Sequence, residues 1–238
     1  MNHSGKTYLP AAGHDWLLPL YDPFVKLFGG DTARRALLDQ TTVGPGHRVL
    51  DIGCGTGTFA TLIKGLYADV DVVGLDPDPK ALARAKRKAV RAAVSIQLDQ
   101  GFSDELPYPE ASFDRVFSTF MFHHLQIDKK EKTLCEVRRV LTPGGSLHLL
   151  DFVRPEANGY GLLTRYLRSS HRLKDNSEER ILTLMNRAGF VSCEKVMEGV
   201  VLFRSLRIAY YRASAPISGR STPSESSPAK GERVGVSA

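Results

Sequence analysis

Apolar and polar positions change their spacing repeatedly along the chain after residue 46. Short runs rich in β-branched residues alternate with longer stretches whose apolar residues recur at helical spacing, as Phe59, Ile63 and Leu66 do. The runs with strand character are 47–52, 70–75, 94–98, 114–119 and 146–152. Strands that alternate with helices in this way predict a doubly wound, Rossmann-like α/β fold, whose mostly parallel sheet has helices on both faces.

The predicted helices carry signals at their ends. Asp78, which a proline follows, is typical of a helix start. Asp128 and Glu131 have the spacing of a capping box, and the helix that they begin is expected to stop at a Pro-Gly-Gly turn within 142–145. Asn176 is expected to cap a later helix, which a glycine at position 189 ends.

The pattern changes near the C-terminus. Two β-rich runs, 191–197 and 200–211, are separated only by Glu198 and Gly199. So short a connection joins antiparallel strands. The sheet, with seven strands in all, is therefore predicted to end in an antiparallel hairpin.

The composition divides the chain into parts. Residues 46–212 are expected to form the main domain, with an insertion at about 153–175 between the fifth predicted strand and the next helix. Residues 1–45 contain a strongly apolar stretch, 14–28, and are expected to form an N-terminal helical segment. From residue 213 onward, Ser, Pro, Gly and charged residues without periodicity predict a disordered tail, 213–238.

The bulk composition, with 42% apolar and 24% charged residues, is that of an ordinary globular protein. No apolar run approaches the roughly 20 residues that a membrane helix needs, and the N-terminus lacks the pattern of a secretory signal. Cys54, Cys135 and Cys193 have neither the number nor the spacing of a disulfide framework or a zinc site. We therefore expect a cytoplasmic protein without a bound metal.

The net charge of +6 leaves two interpretations open. Basic residues concentrate in 80–91 and 165–174. Such concentrations are typical of attraction to nucleic acid or anionic lipid, but also of a solvated helix face and a basic loop. Charge alone does not identify a partner.

The segment VLDIGCGTG, residues 49–57, ends an apolar run with one carboxylate and three glycines. A merely tight turn from strand to helix needs about one glycine. Alternating glycines let a ligand contact backbone amides, and the N-terminus of the following helix adds positive potential. The segment therefore predicts a site for a nucleotide-like ligand.

Two carboxylates narrow the choice of ligand. The residues from Gly55 to Ala60 fit the dinucleotide fingerprint, but Asp51 would repel the pyrophosphate of NAD and suits a cationic group. Asp76, at the end of the second predicted strand, is placed to accept both hydroxyls of a ribose. A ligand with a ribose, a positive charge and no phosphate indicates S-adenosylmethionine.

The same segments resemble, in order, the motifs of class I S-adenosylmethionine-dependent methyltransferases. The matching segments are VLDIGCGTG at 49–57, GLDPD at 74–78, LPYPEASFD at 106–114, FHHL at 122–125, LTPGG at 141–145 and RAGF at 187–190. The subgroup that they most resemble is that of the ubiquinone/menaquinone-biosynthesis C-methyltransferases and their small-molecule relatives. The terminal antiparallel hairpin of that family agrees with the C-terminal pattern.

The resemblance implies roles for individual residues. Asp51 would hold the methionine ammonium, directly or through water, and Asp76 would hold the ribose hydroxyls. Pro77 would pack near adenine, and Thr119 would lie beside the sulfonium. The loop residues implied to carry the methionine and ribose are Gly53, Gly55, Thr56 and Gly57.

One position departs from the pattern of the family. Relatives usually carry an acidic or amide residue there, which accepts a hydrogen bond from the adenine amino group. This chain has Phe102, which either packs on adenine or only fills its own loop, and which cannot accept that bond. Ser103 and Asp104 are the substitute acceptors that the sequence offers.

The expected reaction is an in-line displacement at an activated methyl group, for which the protein supplies orientation and exclusion of water. A base is required only if the acceptor must lose a proton. His123 and His124 are expected near the ligand-binding edge of the sheet. Either one of them is a base that acts on the acceptor, or the pair only forms hydrogen bonds with the backbone. The same His-His-Leu sequence in relatives with diverse acceptors favours the second role. The resemblance implies that residues 1–45 form a helical lid over the cofactor, in which Tyr21 is the remaining candidate near the sulfonium. The insertion at about 153–175 is expected to form the other wall of the acceptor site.

The predicted function is S-adenosylmethionine-dependent methyl transfer to carbon or oxygen of a small molecule, quinone-like or another secondary metabolite. A tRNA or rRNA methyltransferase, which the basic balance supports, and a non-catalytic S-adenosylmethionine-binding regulator, which Phe102 supports, are the alternatives. No [DN]-P-P-[YF] motif and no Pro-Cys nucleophile follows the fourth predicted strand. We therefore expect a small-molecule acceptor and no nucleic-acid partner, while peripheral membrane contact stays open.

Overall fold

The computed structural model describes residues 29–153, 176–201 and 206–217. Its helices are α1 (Gly30–Asp39), α2 (Thr58–Leu66), α3 (Pro79–Arg91), α4 (Ile127–Val140) and α5 (Glu178–Arg187), with a 3₁₀ turn at Phe122–His124. Its strands are β1 (Arg48–Ile52), β2 (Asp71–Asp76), β3 (Gln97–Gln100), β4 (Phe113–Thr119), β5 (Leu141–Phe152), β6 (Val191–Val201) and β7 (Leu206–Ser214). None of the helices in these ranges is long and apolar enough to cross a membrane.

Within the described residues, seven strands form one sheet in the order β3-β2-β1-β4-β5-β7-β6. Strands β1 to β5 pair in parallel, whereas β7 is antiparallel to both β5 and β6. The predicted doubly wound sheet with a C-terminal antiparallel hairpin is confirmed. The strand order reverses between β1 and β4, which is where folds of this kind form their ligand crevice.

Successive residues of a strand face opposite sides of a sheet, and β1 follows this rule. Val49 packs in the apolar cluster beneath α1 and α2, while Leu50 and Ile52 pack in the cluster beneath α4 and α5. Asp51 therefore faces the α1 and α2 side. The alternation places a carboxylate, only 1% exposed, in an otherwise apolar layer.

The predicted helix starts are partly confirmed. The side chain of Asp78 accepts a hydrogen bond from the backbone N–H of Lys80 at 2.8 Å, as an N-cap does. The capping box at Asp128 is wrong, because α4 has Gln126 at its N-cap and no side-chain cap bond. Asp128 lies in the first turn instead, where its charge still complements the helix dipole.

The predicted hairpin turn at Glu198 and Gly199 is also wrong. Strand β6 continues through both residues, and Gly199 pairs with Ile208 of β7. A Cβ on Gly199 would lie 3.3 Å from the Ile208 side chain, so the glycine gives room to its cross-strand neighbour instead of starting a turn. The connection between the two strands falls in 202–205, outside the described residues.

Two further boundaries differ from those expected. Strand β5 begins at Leu141, and its pairing with β4 shifts register across 142–145, so the predicted turn is an irregularity inside the strand. Strand β7 continues to Ser214, and the backbone N–H of Ala215 donates to the carbonyl of Gly145 at 2.8 Å. The expected disordered tail therefore cannot start at residue 213, and 218–238 lie outside the described residues.

Candidate functional site

A cleft of about 410 Å³ opens at the carboxyl ends of β1, β2 and β4, a volume that suits a small-molecule ligand. The predicted site residues that line it are Gly53, Gly55, Thr56, Asp76, Pro77, Phe102, Ser103, Thr119 and His124. Asp51, Gly57 and His123 do not line it, and Tyr21 lies outside the described residues. Within the described ranges, no cluster of His, Cys, Asp and Glu residues could hold a metal ion.

The three glycines of the loop after β1 have different tasks. Gly53, Gly55 and Gly57 all have positive φ, at 67°, 53° and 73°, a region that L side chains rarely adopt. Gly53 and Gly55 line the cleft. Gly57 is the N-cap of α2 and packs on α3, where an added Cβ would lie 2.7 Å from the Cβ of Ala85.

We expect Gly57→Ala to lower the free energy of unfolding by about 2–4 kcal/mol, because left-handed strain adds to overpacking against α3. Gly55→Ala is the matched control, since its φ is also positive but a Cβ added there would have no atom within 4 Å. Strain alone then costs about 1–2 kcal/mol. Urea denaturation of both variants measures the difference, and equal losses would contradict the packing role of Gly57.

Asp76 is held in place by the backbone. Its Oδ2 accepts a hydrogen bond from the N–H of Gly55 at 2.8 Å, and its Oδ1 accepts one from the N–H of Asp78 at 2.9 Å. Burial raises the pKa of Asp76 to about 6, although these two backbone donors lower it. Each oxygen keeps further acceptor capacity for a ligand hydroxyl.

Neither carboxylate oxygen of Asp51 has a hydrogen-bond partner among the described residues. Burial raises the pKa of Asp51 to about 7, the charge of Arg34 opposes this rise, and the charge of Asp76 adds to it. The backbone N–H of Ala60 lowers the pKa a little without reaching hydrogen-bond geometry. An orphaned buried carboxylate of this kind is costly unless a ligand supplies its partner.

Arg34 of α1, which the sequence pattern did not indicate, is a wall of the same cleft. The side chain is buried, with the residue 7% exposed, and its Nε has no hydrogen-bond partner within the described part of the chain. The guanidinium lies 5.5 Å from the ring centroid of Phe120, and its contact with Asp31 is long, at 3.5 Å. Arg34 is therefore a buried cation on the cleft wall, and Asp51 is a buried anion that lies outside the lining, two residues before Gly53; each has an unmet hydrogen-bonding group.

A buried histidine fixes α1, and thus Arg34, against the sheet. The hydroxyl of Thr41 donates to the carbonyl of Leu37 at 2.9 Å, so it accepts from Nδ1–H of His148 at 3.1 Å. Nε2 of His148 then accepts from the hydroxyl of Ser146 at 2.9 Å. Burial lowers the pKa of His148 to about 3, which agrees with this neutral tautomer.

The region expected to hold adenine contains Phe102 on the cleft wall, with Nζ of Lys129 5.9 Å from its ring centroid. The hydroxyl of Ser103 lies 3.0 Å from Oγ1 of Thr133, so it already has a partner within the protein. Asp104 also lines the cleft. Both substitute acceptors therefore line the cleft, and the choice between them stays open.

His123 forms a dyad with Asp151 at the end of β5. Nδ1 of His123 lies 2.6 Å from Oδ1 of Asp151, and the backbone N–H of His123 donates to Oδ2 at 2.7 Å. Burial raises the pKa of Asp151, but His123 and the N–H of Phe152 outweigh it, so the pKa stays below its ordinary value. The carboxylate directs Nδ1 inward, and the ring of His124 on the cleft wall lies 4.0 Å away, centroid to centroid.

Asn176 connects α4 to the end of β5. Its Nδ2 donates to the carbonyl of Phe152 at 2.9 Å, and its Oδ1 accepts a hydrogen bond from Nζ of the fully buried Lys130. The N-cap of α5 is accordingly Ser177 and not Asn176 as expected. Both flanks of 154–175, a range outside the described residues, are therefore held at one place on the sheet.

Comparisons with known proteins agree with this architecture. A family model described as a methyltransferase domain matches residues 49–145. A demethylmenaquinone methyltransferase of Deinococcus radiodurans is 39% identical over 132 residues, which cover 56% of this chain and 54% of that protein. The enzyme of the same name from Thermus thermophilus is 36% identical over 152 residues, which cover 63% of this chain and 68% of that protein. The match thus spans about half of the first relative and two thirds of the second.

A solved structure of phosphoethanolamine N-methyltransferase 2 from Haemonchus contortus, in complex with phosphomonomethylethanolamine and S-adenosylhomocysteine, has the same fold. Its TM-score is 0.67 at 19% identity, over 79% of this chain and 53% of that one. Sheet order and glycine loop define a doubly wound, Rossmann-like cofactor-binding protein. Because the family model and the sequence relatives also match, the chain belongs to the class I S-adenosylmethionine-dependent methyltransferases, in the group of the menaquinone-biosynthesis enzymes.

Proposed function

We propose that this chain transfers a methyl group from S-adenosylmethionine to carbon or oxygen of a quinone-like small molecule. The observation that carries the proposal is that the buried Arg34 guanidinium lines the cleft, while the orphaned Asp51 carboxylate, whose pKa the charge of Arg34 lowers, lies two residues before Gly53 of the cleft wall. Free amino acids carry one ammonium and one carboxylate. The two protein charges match those of the methionine part of the cofactor, and no dinucleotide has that pair.

The local geometry supports a role for each of these residues. Asp51 receives the ammonium, directly or through water, and Arg34 receives the carboxylate. Asp76, fixed by two backbone donors, accepts the ribose hydroxyls. Pro77 and Phe102 pack against adenine, and Thr119 lies beside the sulfur. The cofactor supplies an already activated methyl group, so the chain's own task is to orient the acceptor and exclude water.

On the acceptor side, His123 is the candidate base for an acceptor that must lose a proton; it does not line the cleft itself and would act next to the wall that His124 forms. Asp151 holds the imidazole in one orientation and keeps Nδ1 protonated, which leaves Nε2 as the proton acceptor. His124 serves to shape the cleft wall. Tyr21 stays a prediction, since it lies outside the described residues.

The first test is ligand-induced stabilisation of the full chain. S-adenosylmethionine and S-adenosylhomocysteine should raise the melting temperature, and NAD should not, because only a ligand that binds the folded state stabilises it. Incubation with a methyl-labelled cofactor and the quinol form of demethylmenaquinone should then yield a labelled product in mass spectrometry. No stabilisation by either adenosyl ligand at millimolar concentration would overturn the proposal.

Asp76→Ala should weaken S-adenosylhomocysteine binding by about 1–3 kcal/mol, since a charged acceptor of two ribose hydroxyls is lost. Isothermal titration measures the change. Asp71→Ala is the matched control, because Asp71 lies exposed at the opposite end of the same strand. Unchanged affinity in the Asp76 variant would mean that the ribose is held elsewhere.

A nucleic-acid methyltransferase is the second candidate, and the basic charge is the single observation that favours it. Filter binding of RNA and DNA across a salt series separates the two candidates. Contacts with phosphates would give a steep loss of affinity as salt rises. Tight, strongly salt-dependent binding together with methylation of the nucleic acid would replace the quinone-like acceptor.

A further inference from the structure

The net charge of the chain resides on one helix. α3 contains six basic residues and no acidic residue between Pro79 and Arg91. The whole chain has 32 basic and 26 acidic residues, so the 26 basic residues outside α3 balance the acidic ones. The full charge of +6 is therefore concentrated along roughly 20 Å of helix.

The buried side of α3 does not use these charges. Ala81, Ala85 and Ala89 form the buried side, where the helix packs beside α2 and over β2 and β3. Of the basic residues, Lys88 alone is directed toward the glycine loop, where its Nζ donates to the hydroxyl of Thr56 at 3.1 Å. The other basic residues lie on the remaining sides of the helix, half-buried at Arg84 and exposed at Lys80, Lys86, Arg87 and Arg91.

Most of the outward charges lack internal neutralisation. In the described part of the chain, no carboxylate forms an ion pair with Arg84, Lys86, Arg87 or Arg91. Basic residues on other elements do have acidic partners, namely Arg139 with Glu136, Lys195 with Glu178, Arg207 with Glu198 and Arg212 with Glu194. The outward face of α3 is thus complementary to an anionic surface.

The remaining side chains of this face are aliphatic. Val90 is 72% exposed between Arg87 and Arg91, and Ala83 is exposed two turns earlier. α3 has no aromatic, amide or hydroxyl side chain, the groups that stack on bases or read their edges. Cations around a small apolar group are what a lipid headgroup region accepts.

The helix is also placed next to the cleft. α3 begins directly after Asp78, its N-cap, and Pro77 lines the cleft. The end of the helix that carries Lys80 therefore lies at the rim of the candidate site. A surface bound along α3 would be within reach of that rim.

We propose that the outward face of α3 binds the surface of an anionic lipid bilayer. The choice of lipid rests on the proposed function, because a quinone-like acceptor with an apolar tail resides in the membrane. The charges hold the protein at the headgroups, Val90 enters the apolar boundary, and the rim of the cleft receives the acceptor from the bilayer.

The test is co-sedimentation of the full chain with vesicles of phosphatidylcholine alone and of phosphatidylcholine with phosphatidylglycerol in equal parts. The chain should bind the second kind only, and added salt should release it. The triple variant Arg84→Gln/Arg87→Gln/Arg91→Gln should bind about a hundredfold more weakly, at about fivefold for each charge. Val90→Ser should weaken binding about two- to tenfold, because an apolar contact is lost without a change of charge.

The matched control is Arg35→Gln/Lys132→Gln/Arg187→Gln, which removes the same charge from exposed positions on α1, α4 and α5. It should bind vesicles within about twofold of the unaltered chain, since only distant charges change. Equal binding to both kinds of vesicle, no binding, or an equal loss in the control would overturn the inference.

Binding of a mixed-sequence RNA or DNA that the α3 triple variant loses, with no vesicle binding, would also overturn the lipid assignment and replace it with nucleic acid. Thermal stabilisation by S-adenosylhomocysteine should be the same in the α3 triple variant and the unaltered chain. Thermal stabilisation thus distinguishes a wrong assignment of the lipid-binding surface from a wrong assignment of the cofactor site. Loss of vesicle binding in a variant that still binds the cofactor is the expected result.

Discussion

Asp51→Asn is expected to stabilise the cofactor-free protein at pH 8 and to remove most of its affinity for S-adenosylmethionine. The pKa of Asp51 rises from 3.8 to about 7, which corresponds to roughly 4 kcal/mol against the charged form. A buried amide also lacks partners, so the gain in unfolding free energy should be about 1–3 kcal/mol. Loss of the charged acceptor should weaken binding by about 1.5–3 kcal/mol, roughly 10- to 150-fold.

The direction of the pKa shift fixes the pH dependence. In the unfolded chain the carboxyl loses its proton near pH 4, whereas in the folded chain it keeps the proton up to about pH 7. The stability of the unaltered chain therefore falls between these values relative to the Asn variant and then stays level. The affinity for the cofactor has the opposite pH dependence. It increases as pH rises through 7, because the ammonium requires the ionised carboxylate.

Urea denaturation at pH 4, 6 and 8 and isothermal titration with S-adenosylhomocysteine measure both effects. The stabilities of the two chains should converge at pH 4. The affinity of the Asn variant should no longer rise around pH 7 and should keep only the pH dependence that Asp76, with a pKa of about 6, contributes. Asp71→Asn, at an exposed position of β2, is the control and should change neither quantity. An Asn variant that is less stable at pH 8, or that binds as tightly as the unaltered chain, would contradict the role given to Asp51.

Arg34→Gln is expected to abolish the preference of the protein for ligands that carry an amino-acid part. The unaltered chain should bind S-adenosylhomocysteine at least about tenfold more tightly than 5′-methylthioadenosine, which has the same nucleoside but neither the ammonium nor the carboxylate. Without Arg34, the carboxylate loses its partner, and the pKa of Asp51 rises further because the opposing charge is gone. Both changes reduce the same preference.

Arg35→Gln is the matched control, because the neighbouring arginine of α1 is exposed while Arg34 is buried. Titration of both ligands into each variant separates loss of the carboxylate contact from general damage. Affinity for 5′-methylthioadenosine should stay nearly constant in all three proteins. An Arg34→Gln variant that keeps the full preference would show that the methionine carboxylate is bound by another group.

The parts of the fold that the sequence predicted well are those with local causes. β1 and its glycine loop were predictable because burial on both faces demands an apolar run and because positive φ demands glycine. Asp78 was predictable as an N-cap because its side chain accepts a hydrogen bond from a backbone N–H only two residues away. Asp76 follows from its place at the end of a parallel strand beside that loop.

The parts that were missed depend on contacts between distant residues. Nothing near Arg34 in the chain indicates that it lines the cleft and lowers the pKa of Asp51, since its position depends on α1, which is anchored through His148. Asn176 resembles a helix cap, yet a buried lysine 46 positions away engages its side chain. Asp151 was missed for a similar reason, because its hydrogen-bond partner His123 lies on another element. Pairings of this kind are set by topology, which local spacing does not encode.

The clamp that Asn176 forms with Phe152 and Lys130 has a consequence for how this scaffold diversifies. Because both flanks of the intervening 22 residues meet at one fixed point, insertions or deletions between them leave the sheet and the cofactor cleft undisturbed. The entropic cost of closing a longer loop grows only with the logarithm of its length. If 153–175 form a wall of the acceptor site, as the sequence predicts, substrate preference can change between these two flanks without altering the methyl-donor site.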